Sequence, residues 1–255
     1  MKPLRGVDPF AEPLLDRPDV DPGSWPRATH RAPMLSLLGL RLARARLAAG
    51  FSIADVRDFA GINPGSLSRI EHGWRFPPAA TLAGLAALYR VDAASLRPPD
   101  DGAEERSGRL SPHLGSAEFI HSQNPRFLVR NRRHWLQRPD LRENGRWLAA
   151  ALFEPVREAL GVALDVVGGY RSHDVNRRTL VDEAEFSPHV HALAFDVIPV
   201  GVDLRIAMRR LRAAVERGEL PHLDFAVVEF DRWIHVQAPA FDRTARGVVV
   251  RWGDA

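Results

Sequence analysis

The 255-residue chain has no cysteine, so disulfides and thiolate metal sites are excluded, and any transition metal must be held by His, Asp or Glu. Lysine is nearly absent as well. Lys2 is the only one, and the remaining positive charge is arginine, whose guanidinium hardly titrates. No apolar run approaches the length of a membrane span. The start, Met1-Lys2-Pro3-Leu4-Arg5, leads into a Pro- and Asp-rich stretch without the apolar centre of an export signal. The expectation is a cytoplasmic protein with no membrane span.

What is present suits a globular protein: 45% hydrophobic and 26% charged residues, in a length that accommodates two small domains. The net charge of +3 is unevenly spread. Residues 36–98 hold eight Arg against four Asp or Glu, whereas 1–35 is neutral, 99–109 is net −2 and 110–255 is only +1. The positive excess therefore sits on one short segment.

Residues 1–35 show no sustained period and read as an extended or partly ordered arm. Helical spacing begins after Ser36, a candidate N-cap, with Leu37, Leu40, Leu42, Ala45 and Leu47, and ends at Gly50. Ser52 caps a second helix through about Phe59, and Gly61 supplies a turn. Asn63-Pro64 starts a third helix through Glu71. A fourth is expected from Ala79 to Tyr89 and a short fifth from Ala93 to Leu96.

This all-α, five-helix segment, 36–98, resembles the Cro/repressor-type (xenobiotic response element) helix-turn-helix family. The matching pieces run in order: Leu42 through Ser52, Ala60-Gly61-Ile62, Leu67 through Gly73, and Leu82 through Leu96. The resemblance implies an ion pair between Arg46 and Glu71, and a third helix that enters the DNA major groove. It places Asn63, Ser66, Ser68 and Arg69 near bases, and Arg44, Arg75 and His72 near phosphates. Pro64 and Gly65 have no bidentate base contact to offer. The fold also serves as a protein-docking module, so the expected partner is double-stranded DNA or a protein. Cro-type domains often read paired half-sites as dimers, which makes a homodimer an expectation, although no long dimerisation helix is visible.

Pro98-Pro99-Asp100-Asp101-Gly102 and the polar residues through 109 form a linker, 99–109. In 110–255 helical periodicity returns at about Trp147–Leu160, and Val162–Val167 reads as a strand running into Gly168-Gly169-Tyr170-Arg171-Ser172. Leu193–Val200 is a second strand. A helix follows at Leu204–Glu216, and Phe225–Glu229 with Trp233–Gln237 form a hairpin. The class is α+β with a small antiparallel sheet.

Three residues on these elements carry chemistry: His189 and Asp196 in Ser-Pro-His-Val-His-Ala-Leu-Ala-Phe-Asp-Val, and His235 in Trp-Ile-His-Val. Two imidazoles and one carboxylate, with a fourth position left for water, form a catalytic rather than a structural zinc set. With Tyr170-Arg171-Ser172, Asn176, Leu110-Ser111 and Glu118-Phe119, they resemble the D-alanyl-D-alanine carboxypeptidase/VanY-like zinc peptidases over essentially all of 110–255. The resemblance implies Zn2+ held by His189, Asp196 and His235, and Arg171 as the clamp on substrate or oxyanion. It also implies a D-Ala-D-Ala-type peptide as substrate, with Tyr170, Ser172, Ser187 and His191 near it.

The chain departs from that family at several places. The acidic general base three residues before the last histidine is replaced by Arg232. Strand parity puts Glu229 and Asp231 on the side of His235, so either is a candidate base. The glycine three residues after the first zinc histidine is Ala192, a small Gly-Gly loop is replaced by Leu180–Phe186, and a usual Asp-Gln pair reads Asp224-Phe225. A regulator whose peptidase-like domain senses a peptide or metal is the competing expectation.

Overall fold

The structure, a computed structural model, describes residues 33–98, 108–179 and 187–250. The arm before Pro33, most of the linker and the segment Leu180–Phe186 lie outside the described residues.

In the first unit each helix begins where a side chain satisfies its first amides. Ser36 accepts from the Gly39 N–H to cap α1 (Leu37–Ala48). Ser52 and Asp55 form a reciprocal capping box on α2 (Ile53–Ala60), which ends on Gly61 at φ 66°. Asn63 accepts from the Gly65 N–H, and Pro64 opens α3 (Pro64–Glu71) with its φ already helical. α4 (Ala79–Tyr89) and α5 (Ala93–Leu96) close over a core that includes Leu38, Leu42, Val56, Leu67, Ile70 and Leu85.

Inside this unit lies one buried ion pair. Arg46 Nε and Nη2 donate to the two Glu71 carboxylate oxygens at 2.7 and 2.9 Å, and Nη1 donates to the Phe51 carbonyl at 2.8 Å. Arg46 is 3% exposed and Glu71 0%, so α1 and α3 are joined by charges that have given up their water.

The second unit opens with a short hairpin, β1 (Arg109–Ser111) and β2 (Leu114–Gly115), then α6 (Ser116–Phe119), α7 (Pro125–Gln137), α8 (Pro139–Leu148) and α9 (Glu154–Leu160). The helical stretch expected from Trp147 is thus longer, and a π-helical turn, Ala149–Phe153, interrupts it. That turn sits just ahead of Pro155, which has no N–H to donate and whose ring would clash with the Ala151 carbonyl in a regular helix. After α9 come β3 (Leu164–Gly168), α10 (His173–Thr179), a 3-10 turn at Pro188–His191, β4 (Ala194–Pro199), α11 (Leu204–Glu216), β5 (Phe225–Glu229), β6 (Trp233–Gln237) and β7 (Val248–Val249).

The strands form one sheet in the order β3-β4-β6-β5-β7. The first four are antiparallel, but β7 runs parallel to β5, so the sheet is mixed rather than wholly antiparallel as expected. Register decides which face carries chemistry. Phe195 pairs with Val236 and Val197 with Ile234, and all four belong to the hydrophobic core. Asp196 pairs with His235 between them, so both project from the opposite face.

The two units meet along a polar seam. Arg41 makes a two-pronged pair with Glu143 at 2.7 and 2.8 Å. Arg138, itself paired with Asp140, donates to the Gly73 carbonyl at 3.0 Å. Asn144, 0% exposed, accepts from the Leu37 N–H and donates to the carbonyls of Leu35 and His191. Met34 is buried; its N–H donates to the Asp242 carboxylate and its carbonyl accepts from the Phe241 N–H, which anchors the end of the arm on the second unit.

Beneath α7, the Tyr170 hydroxyl donates to Nδ1 of His134, and the two rings stack. Burial, reinforced by the nearby charges of Arg138 and His173, lowers the His134 pKa from 6.5 to about 4. Between these values the unfolded chain holds the proton and the folded one does not, so protonation favours unfolding. Stability is therefore expected to fall as pH drops from about 6.5 to about 4, by at most about 3 kcal/mol and less after solvent screening. Melting curves of wild type and His134→Gln over this range check it: the variant should lose part of the pH slope, and identical slopes would contradict the expectation.

Candidate metal centre

His189, Asp196 and His235 reach one point from three elements: the 3-10 turn, β4 and β6. One ligand-type atom from each lies within 4.8 Å of the others, and all three residues are buried. The Asp196 Oδ1 stands 2.8 Å from His235 Nδ1 and 3.4 Å from His189 Nε2, and the two imidazole nitrogens are 3.2 Å apart.

The protonation pattern favours a cation among them. His189 Nδ1 faces the Gly169 carbonyl at 2.7 Å, an acceptor only, so Nδ1 carries the proton and Nε2 presents a lone pair. Burial and the Arg171 charge push the His189 pKa down, keeping the ring neutral. Burial alone would raise Asp196, but the two histidines more than reverse this, and its carboxyl lies well below the usual carboxylate range. A neutral imidazole lone pair thus faces an ionised carboxylate at 3.4 Å, an acceptor set that a divalent metal satisfies. The residues present fit a zinc ion with two nitrogen ligands and one oxygen ligand.

Two glycines make this approach possible. A Cβ on Gly168 would lie 2.4 Å from Asp196 Oδ2, and one on Gly169 would lie 2.2 Å from the Phe119 carbonyl oxygen. The loop they begin delivers Arg171, whose Nη2 is 3.8 Å from Asp196 Oδ2. Arg171 lines a small cleft with His121, Asn124, Phe127 and Trp233, and the cleft opens onto Asp196. Asn131, buried in α7, holds the loop by accepting from the Ser172 N–H and donating to the Tyr170 carbonyl.

The other residues singled out in the sequence are placed differently. Tyr170 is fully buried against His134 and Trp135, and Ser172 is buried at the start of α10, accepting from the Val175 N–H. Neither side chain is open to substrate: the first fills the core and the second caps a helix. Ser187 is half-buried at the N-cap of the 3-10 turn. His191 is buried in that same turn, edge-on to His173, because the chain there is helical and the strand parity expected to align it with His189 does not apply. Ala192, where relatives carry glycine, adopts the left-handed φ of 55° that a glycine takes without strain.

The two candidate bases separate as well. Glu229 is buried, pairs across the hairpin with Trp233 and accepts from its indole N–H at 3.3 Å. Asp231 is exposed: Phe230 and Asp231 form the middle of a tight turn at φ 53° and 54°, closed by the Arg232 N–H on the Glu229 carbonyl. The strand ends at Glu229, so the parity expected for Asp231 fails.

On the helix-turn-helix, Arg44, Asn63, Arg69 and Arg75 are exposed, and Ser66 and Ser68 are half-buried. His72 is turned inward, its Nδ1 on the Ser68 carbonyl, and is not available to a phosphate.

Comparison with known families agrees with this division. Residues 37–98 match the family model described as a helix-turn-helix domain, and residues 128–237 match the model described as peptidase M15. The chain therefore combines a helix-turn-helix with a peptidase-type α+β unit, the class of zinc-type hydrolase to which its buried His-Asp-His group is suited. No curated protein and no solved structure matches it. Among the described residues no helix is long and apolar enough to cross a membrane.

Proposed function

We propose that this is a cytoplasmic protein in which an arm (1–35), a helix-turn-helix (36–98), a linker (99–109) and a zinc peptidase domain (110–255) follow one another. The peptidase would act on peptidoglycan-like peptides in the manner of D-Ala-D-Ala carboxypeptidases and endolysins. The observation that carries this reading is the convergence of His189, Asp196 and His235 beside a cleft that holds Arg171. His189 Nε2, Asp196 Oδ1 and His235 Nδ1 would hold the zinc, which when bound polarises a water toward hydroxide and a carbonyl toward attack.

The chain's own groups account for the rest. Arg171 places a fixed cation at the cleft, suited to a substrate carboxylate or the developing oxyanion. Glu229, on the face of β5 shared with His235, is the better-placed group to take the proton from water, and the Trp233 indole N–H holds it. The helix-turn-helix presents Arg69, Arg75 and Arg44 for double-stranded DNA, with Asn63, Ser66 and Ser68 at the entry of α3, as monomer or homodimer.

Hydrolysis of a D-Ala-D-Ala peptide by the zinc-loaded protein, lost in His235→Ala, is the expected result. A second reading is a transcriptional regulator whose peptidase-like domain senses a peptide or metal. Arg232 at the usual base position favours it, and so does Asn144, which ties the start of α1 to the His191 carbonyl. DNA binding that responds to peptide while the peptide stays intact would select this second reading and sink the first.

A further inference from the structure

His235 has two ring nitrogens, and which one faces the metal position depends on which carries the proton. A chain of contacts on the other side of the ring decides it. Asp224 is buried, and its carboxylate oxygens accept from Arg246: Oδ1 from Nε at 3.0 Å and from the backbone N–H at 3.1 Å, Oδ2 from Nη2 at 2.7 Å. Burial alone would raise the Asp224 pKa, but these bonds reverse it, so the group is an ionised acceptor. Gln237 must then turn its NH2 toward Asp224, and Nε2 lies 3.3 Å from Oδ2. The amide has no freedom left, so its Oε1 faces the His235 ring, 3.2 Å from Nε2. An amide oxygen only accepts, so Nε2 must be the protonated nitrogen and Nδ1 the one left with a lone pair for the metal.

We propose that Gln237 is a positioning residue for the metal centre, and that the chain Arg246–Asp224–Gln237 selects the His235 tautomer whose Nδ1 is a ligand. The inference rests on the metal reading above. It goes beyond the ligand set because none of the three residues touches the metal position. β6 supplies both ligand and orienter: residues two apart on a strand share a face, and His235 and Gln237 are such a pair. Asp224, just before β5, reaches the same amide because its N–H donates to the Gln237 carbonyl and holds the two backbones together.

The test compares wild type with Gln237→Met, which keeps length and packing but has no amide, and with the double substitution Gln237→Glu and Asp224→Asn. The double substitution exchanges the two groups: the carboxylate at position 237 accepts from His235, and the amide at position 224 donates to that carboxylate. Zinc affinity is measured by competition with a chromogenic chelator, alongside melting curves that show the variants fold. Gln237→Met is expected to bind zinc about 10–100-fold more weakly, the usual effect of removing a group that orients a ligand, and the exchange to recover most of that loss. In metal-free protein labelled with 15N-histidine, the wild type should show a proton on His235 Nε2 that Gln237→Met loses to Nδ1, where Asp196 accepts it. If Gln237→Met matches the wild type in both affinity and proton position, the proposal is overturned. If the wild type binds no zinc, the metal reading fails, and the proton position alone still decides whether Gln237 sets the tautomer.

Discussion

In Glu71→Ala the helix-turn-helix is expected to melt far below the wild type. The substitution leaves the Arg46 guanidinium, 3% exposed, without its carboxylate, while the Phe51 carbonyl still accepts from Nη1. Stranding one member of a buried pair costs about 3–5 kcal/mol. For a unit of this size each kcal/mol lowers the midpoint by roughly 4–8 °C, so a drop of more than about 10 °C is expected. Limited proteolysis should then cut within 37–98 while the second unit, which has its own core, survives. Replacing both partners, Arg46→Met with Glu71→Leu, should restore most of the stability, because no charge is left buried alone. A wild-type midpoint for Glu71→Ala would mean that the pair is open to water and that α1 and α3 do not depend on it.

Gly168→Ala is expected to remove the metal without touching a ligand. Its new Cβ would fall 2.4 Å from Asp196 Oδ2 and 3.1 Å from Cγ, and the first is a distance no real Cβ tolerates, so the carboxylate must swing away. Sheet register blocks the other escape, because Gly168 pairs with Asp196 itself across β3 and β4. Displacing one ligand of three by about 1 Å should weaken zinc by at least about 10-fold, since metal sites need donor distances held to about 0.2 Å. Chelator competition on the purified variant, with a melting curve to show that the sheet persists, reads this directly. Wild-type affinity would show that Asp196 does not need the space beside Gly168.

Much of this is legible in the sequence where one local signal suffices. The bounds of α3, α4, α11 and the β5–β6 hairpin follow from Asn-Pro, Pro-Pro and strict alternation. His189, Asp196 and His235 are legible as a set because their spacing and strand context are distinctive. α7 is not legible. Its sequence, PRFLVRNRRHWLQ, is crowded with arginine, and its buried face includes Asn131, whose amide bonds the Tyr170 and Ser172 backbone far along the chain. β7 is equally hidden, since two residues paired in parallel with a distant strand leave no period to read. The same reason hides Gln237, Asp224 and the Gly169 carbonyl: their roles arise from register across strands and loops. Asp231 departs from its expected side because parity does not carry past the end of β5 into a left-handed turn.

The central claim is that His189, Asp196 and His235 form a zinc site, and the zinc content of the purified protein tests it most directly. Wild type should carry close to one zinc per chain after reconstitution, and His189→Ala, which loses the nitrogen aimed by Gly169, should carry almost none. A wild type that binds no zinc, or a His189→Ala variant that binds as much as the wild type, would contradict the account.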